Sequence, residues 1–154
     1  MRLFFCLMCL LVLTSCNNQT MTPDYPLSIM SSVNVENNST EYKADFSFGG
    51  SRSAFLIKEP MLLYGMEVEF QDDAATVLYH GIKLDYENMS EKFTIFSSLH
   101  NSLVWLNKIQ PEFIKSGDRY YCESEYNGAA VRFEMDEEKQ LDSVAVGNLK
   151  FNFD

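Results

Sequence analysis

A chain of 154 residues, 46 % of them hydrophobic, carries enough apolar material for one packed core. Its 22 acids against 12 bases leave a formal charge of −10, so phosphate-rich nucleic acid is repelled and is excluded as a partner. Two histidines leave little imidazole for metal or general-base chemistry.

The first element is a leader. Arg2 supplies a positive start, Leu3 to Leu13 is apolar throughout, and Thr14 and Ser15 are small residues directly before Cys16. The run is about 11 residues long, where a bilayer-spanning helix needs about 20. Leu13-Thr14-Ser15-Cys16 therefore reads as a lipobox and resembles the processing site of bacterial lipoproteins. That resemblance implies cleavage before Cys16, a diacylglyceryl group on its sulfur, and stable anchoring through two acyl chains. The expected organisation is a lipoprotein signal peptide over 1–15, a polar tether over 16–27 and one domain over 28–154. The expected place is the extracytoplasmic face of the cell membrane or outer membrane, with the membrane as partner through the lipid on Cys16. Cys6 and Cys9 leave with the leader and Cys16 is claimed by lipid, so Cys122 remains alone and no intramolecular disulfide is expected. In its strand-like setting, Cys122 reads as a buried structural thiol and not as a nucleophile.

From Asn17 to about Pro26 the chain is Asn, Gln, Thr, Pro and Asp, the composition of a solvated tether. The first strand is expected near Ser28. Ile29 to Glu36 pairs with a strand in which Tyr42, Ala44, Phe46 and Phe48 alternate with Lys43, Asp45 and Ser47, across the turn formers Asn37-Asn38-Ser39. Gly49-Gly50 reverses the chain into Ser53 to Lys58, and Glu59-Pro60 ends that strand because proline cannot donate to a ladder. Met66, Val68 and Phe70 alternate with Glu67 and Glu69. Asp72-Asp73 turns into Val77 and Tyr79, and Gly81 precedes Ile82, Leu84 and Tyr86.

The period then changes. Phe93, Phe96, Leu99, Leu103, Leu106 and Ile109 recur at three or four residues, which predicts one amphipathic helix over 90–109, capped by Ser90, favoured by Glu91 and stopped by Pro111. Two-residue alternation returns over Tyr120 to Tyr126. Asn127-Gly128 is a strong hairpin signal before Ala130 to Met135, and Leu141 to Val146 and Leu149 to Phe153 complete the set. The fold expected is mainly β within the α+β class: a curved antiparallel sheet or open half-barrel of about 8–10 strands. One amphipathic helix packs on its concave face.

The runs Tyr42-Lys43-Ala44-Asp45-Phe46, Phe55-Leu56-Ile57-Lys58-Glu59-Pro60, Leu63-Tyr64-Gly65-Met66 and Tyr79-His80-Gly81-Ile82 resemble the LolA-like superfamily of lipoprotein carriers and envelope lipoproteins. Within it they resemble a set of Gram-positive membrane lipoproteins. The likeness spans roughly Ile29 to Phe153. It implies an open half-barrel whose concave apolar face can hold acyl chains, hence a lipid or lipoprotein ligand. The lining candidates are Phe46, Phe48, Phe55, Val68, Phe70, Tyr79, Phe96, Leu103, Tyr120 and Phe133. The plainer reading of the same residues is a core packed against the helix.

Catalytic signatures are missing from the sequence: there is no HExxH, GxSxG or GxxxxGK motif, so no enzymatic activity, metal or cofactor is expected. His80 beside Gly81 and His100 on the helix read as solvated or satisfied positions. Gly49-Gly50-Ser51-Arg52 opens no helix and reads as a turn. Glu67 with Glu69 and Asp136-Glu137-Glu138 read as solvated charge, since neither has calcium-loop spacing. The alternative function is a protein-interaction or regulatory module facing an unidentified envelope protein, with Trp105 as an anchor if exposed.

Overall fold

In the computed structural model, residues 19–37, 40–87 and 94–154 are described. The leader, Cys16, the turn residues Asn38 and Ser39, and the expected helix start with Ser90, Glu91 and Phe93 lie outside them. Within these bounds the chain forms β1 (Thr20–Met21), β2 (Ser28–Asn37), β3 (Thr40–Gly49), β4 (Arg52–Glu59), β5 (Glu67–Gln71), β6 (Ala74–Tyr79) and β7 (Ile82–Glu87). The helix α1 (Thr94–Ile109) follows, then β8 (Phe113–Ser116), β9 (Arg119–Tyr126), β10 (Ala129–Met135), β11 (Leu141–Val146) and β12 (Leu149–Phe153).

All twelve strands belong to one open antiparallel sheet in the order β1-β8-β9-β10-β11-β12-β2-β3-β4-β5-β6-β7. It consists of two meanders, β2 to β7 and β8 to β12, joined where β12 pairs with β2. The helix is the connection between the two series. Short turns set the registers: Asn127 (φ 51°) and Gly128 (φ 77°) occupy the left-handed region that a type I′ hairpin needs, and Tyr126 pairs with Ala129 across them. His80 (φ 50°) and Gly81 (φ 79°) do the same between Tyr79 and Ile82.

Period-two patterning places Val33, Val35, Ala44, Phe46, Phe55, Ile57, Val68, Val77, Phe133, Val144 and Phe151 in one buried cluster on one face of the sheet. The other face is wet and carries ion pairs, including Lys58 Nζ to Asp45 Oδ2 at 2.8 Å, Arg52 to Glu69 at 2.8 Å and Arg132 to Glu123 at 2.7 Å. Phe96, Leu99, Leu103 and Leu106 of α1 are buried in the same cluster, so the helix lies on the apolar face. Ile109, the last member of the expected stripe, is exposed at the end of the helix.

Two expectations are corrected. The sheet has twelve strands and not 8–10, because β1 and β8 were invisible to alternation: two and four residues are too short to show a period. The polar segment before Ser28 is also no free tether over its whole length. Thr20 and Met21 pair with Ile114 and Phe113, Met21 is buried, and Tyr25 and Leu27 pack against the core. The few apolar residues of that segment all point inward, which a composition average conceals.

Candidate functional site

Most of the expected lining residues meet across the interface between α1 and the sheet. Phe46 and Phe55 lie 4.7 Å apart between ring centroids, Phe55 and Phe96 4.9 Å, and Phe55 and Phe70 6.0 Å in an edge-to-face contact. Tyr42 meets Phe96 edge-on at 5.8 Å, and Phe46 approaches Phe153 at 5.8 Å. Phe48, Val68, Leu103 and Phe133 are buried in the same cluster. Tyr120 is half-buried at its border, with Lys115 Nζ 5.7 Å from its ring. Tyr79 lies apart: its ring sits 4.1 Å from that of His80, and its hydroxyl donates to the Leu62 carbonyl. Trp105 is half-buried, stacked on Phe133 at 6.2 Å with the rings 7° from parallel, and so does not stand out as an exposed anchor.

Polar groups pin this apolar interface. Ser53 is in phase with Phe55 and Ile57 on β4, and His100 shares a helix face with Phe96 and Leu103; each is 1 % exposed. His100 Nδ1 lies 2.9 Å from Ser53 Oγ and Nε2 lies 3.2 Å from the Asp72 carbonyl. A carbonyl can only accept, so Nε2 carries the proton and Nδ1 accepts from the Ser53 hydroxyl. Burial pushes the His100 pKa down; the Asp72 carbonyl and the charges of Asp72 and Asp73 oppose that. The Phe70 ring stacks on the imidazole at 5.2 Å. A hydroxyl beside an imidazole is also the first half of a nucleophile pair. Here the third partner is a carbonyl and both side chains are closed to solvent, so the arrangement positions a helix.

At the other end of α1, Asn107 Oδ1 accepts from the Leu27 amide at 2.8 Å and its Nδ2 donates to the Gly50 carbonyl at 3.4 Å. The Tyr25 hydroxyl donates to the Pro111 carbonyl at 3.1 Å, and burial pushes its pKa up. No buried side-chain N or O among the described residues lacks a partner. Cys122 is buried, and its thiol pKa is raised by desolvation first and by Glu123 second.

A cleft of about 200 Å³ touches Phe46 and Phe55 but is otherwise lined by residues such as Met30, Asp45, Glu67 and Glu69, and two larger described clefts lie elsewhere. One of about 600 Å³ is lined by Glu69, Gln71, Asp72, Asp73, Ala74, Ala75, Thr76 and Glu87; its acids are spread along a turn and a sheet edge. Among the described residues no three of His, Cys, Asp or Glu are placed to hold a metal ion. A second cleft, of about 370 Å³, lies between the start of β2, the β10–β11 turn and the C-terminus. Asp136 shapes that turn by accepting from the Gln140 amide through Oδ1, while Glu137 and Glu138 are exposed.

Exposed apolar side chains gather at the β4–β5 loop and along the neighbouring edge. Met61 and Leu62 are 80 % and 81 % exposed, and Tyr64, Ile82 and Leu84 are exposed too. The loop is held rigidly under them, since the Gly65 amide donates to the Ile57 carbonyl at 2.9 Å and the Ile57 amide to the Met66 carbonyl at 2.9 Å. Ile82 and Leu84, which alternate with Lys83 and Asp85, share the face of Val77 but stand on the edge strand.

Among the described residues, these features define an open antiparallel sheet with one helix packed on its apolar face. No family model matches the chain, and no curated protein matches it. Among solved structures, the crystal structure of the LolA superfamily protein NE2245 from Nitrosomonas europaea is similar over 82 % of this chain and 83 % of that one, at 7 % identity and a TM-score of 0.44.

Proposed function

We propose that this chain is a membrane-anchored, non-catalytic extracytoplasmic lipoprotein that acts as a protein-interaction module of the cell envelope. The anchor reading rests on Leu13-Thr14-Ser15-Cys16 behind an apolar run too short to span a bilayer. The observation that carries the interaction reading is the packing of the apolar face. Phe46, Phe55, Phe70 and Phe96 contact one another, and α1 is tied over them by His100 and Asn107. An acyl chain held there would have to displace the helix and break those polar ties. Apolar side chains open to a partner include instead the group Met61, Leu62, Tyr64, Ile82 and Leu84.

The test has two readouts on the chain expressed in a bacterium with labelled fatty acid. Label is expected in the wild type and absent from Cys16→Ala. Mass spectrometry of the purified protein is expected to find the covalent lipid and no co-purified lipid. Label retained by Cys16→Ala overturns the anchor, and a stoichiometric co-purified acyl lipid overturns the filled core in favour of the lipid-binding reading.

A further inference from the structure

The two edges of the sheet are unlike. β1 offers two residues, whereas β7 is a six-residue edge strand without proline or bulge, and among the described residues no strand pairs with its outer side. Such an edge is a template for another strand unless something blunts it.

The geometry of its hairpin says which groups the edge presents. Tyr79 and Ile82 close a two-residue turn and form the hydrogen-bonded pair next to it. Every second residue from there, Ile82, Leu84 and Tyr86, turns its backbone amide and carbonyl toward β6. Lys83, Asp85 and Glu87 therefore turn theirs outward, and a partner strand would bond at those positions. On side chains the alternation is the reverse of chemistry: Ile82 and Leu84 stand on the apolar face, 62 % and 46 % exposed, while Lys83 and Asp85 stand on the wet face as a 3.2 Å ion pair. Thr76 Oγ1 donates to Asp85 Oδ1 at 2.7 Å, which fixes the carboxylate on that face.

We propose that β7 pairs with β7 of a second copy of this chain, antiparallel about a two-fold axis through Leu84, giving one sheet continuous across two molecules. This register sets Leu84 against Leu84 of the other copy once, on the axis, and Ile82 against Tyr86 and Lys83 against Asp85 each twice by symmetry. It meets three requirements at once. The backbone groups of positions 83 and 85 bond one another and supply the hydrogen-bonded pairs, and Leu84 falls on the non-hydrogen-bonded pair, where side chains come closest. Opposite charges face each other on the wet side, although each molecule as a whole is strongly acidic. A shift by one residue would set apolar side chains on the wet face. A six-residue strand pair is small beside a standard interface, so the dimer is of the concentration-dependent kind. The proposal does not rest on the anchor or on the function proposed above.

The test uses full-length chains in cells, with a cysteine at the symmetric position. Leu84→Cys is expected to give an intermolecular disulfide on oxidation, because residues opposed on a non-hydrogen-bonded pair lie within disulfide reach. The wild type gives the background from the native cysteines, and Met30→Cys, exposed on β2 far from the edge, gives the rate of random collision. Adding Lys83→Asp or Asp85→Lys to Leu84→Cys is expected to lower the yield at least about fivefold, since each swap turns two attractive pairs into two repulsive ones. Co-expressing those two chains with different tags is expected to restore a mixed cross-link to within about twofold of Leu84→Cys alone, because the acidic edge of one then faces the basic edge of the other. Asp85→Lys also reduces net acidity, so a weaker cross-link from it cannot come from general repulsion. Leu84→Cys linking no more than Met30→Cys overturns the proposal, as does a mixed pair that links as poorly as either chain with itself.

Discussion

Acidification from pH 7.5 to 5.0 should weaken the fold through one side chain. His100 is buried and accepts a hydrogen bond at Nδ1 from Ser53, so its folded pKa lies below the ordinary 6.5 of a free imidazole. The unfolded chain takes up a proton as pH falls through about 6.5, while the folded chain holds a neutral ring. Protons therefore favour the unfolded state, and the loss grows as pH falls toward the folded pKa. At pH 5.0 the unfolded imidazole is nearly all charged, and linkage sets a ceiling of about 2 kcal/mol on the loss. Asp72 and Asp73 draw the folded pKa back up and keep the effect under that ceiling. For a domain of this size the ceiling corresponds to a fall in Tm of about 4–8 °C. The assay is urea unfolding of residues 19–154 at both pH values, with His100→Gln as reference because glutamine keeps a donor and an acceptor but cannot titrate. His80 is exposed in a turn and serves as an internal comparison through His80→Gln. Wild type should lose more stability than His100→Gln over this interval. Parallel losses in the two proteins would refute the account of the buried, neutral imidazole.

Leu103→Ala should cost about 2–5 kcal/mol in the same unfolding assay, since Leu103 is fully buried between helix and sheet, and a value under 1 kcal/mol would mean that α1 is not packed there. Cys122 should react with a thiol reagent much more slowly at pH 8 in the native protein than in urea, because burial and Glu123 both hold the thiol protonated; equal rates would contradict this. Lys58→Ala should leave the urea midpoint unchanged within the error of the assay, since its pair with Asp45 is solvent-exposed, and a clear loss would contradict a surface role.

Most strands were legible because each has one wet face and one dry face. Tyr42 to Phe48 and Leu149 to Phe153 alternate cleanly, and Asn127-Gly128 announces its hairpin through backbone conformations that few residues adopt. The helix was legible from the switch to a 3.6-residue period, although its described start at Thr94 leaves Ser90 outside. What stayed hidden depends on partners distant in sequence. Thr20–Met21 is a strand only because Phe113 and Ile114 lie beside it, and no local pattern encodes that. The polar pin between Ser53 and His100 had a signal: each is a polar residue on the apolar phase of its element. Read singly, each is an unremarkable exception; paired by the fold, they satisfy one another. Tyr79 fits the alternation of the lining residues but ends its strand, where the sheet edge replaces core neighbours with His80 and the Leu62 carbonyl.

The most direct test of the proposal that α1, packed on the apolar face, takes the place an acyl chain would occupy uses the single tryptophan. Trp105 stacks on Phe133 inside the helix–sheet interface, so a ligand entering that face must change its surroundings. Titrating residues 19–154 with a long-chain fatty acid below its micellar concentration should leave the Trp105 emission unchanged in position and intensity. A saturable shift at micromolar ligand with one-to-one stoichiometry would contradict the account and place an acyl chain between helix and sheet.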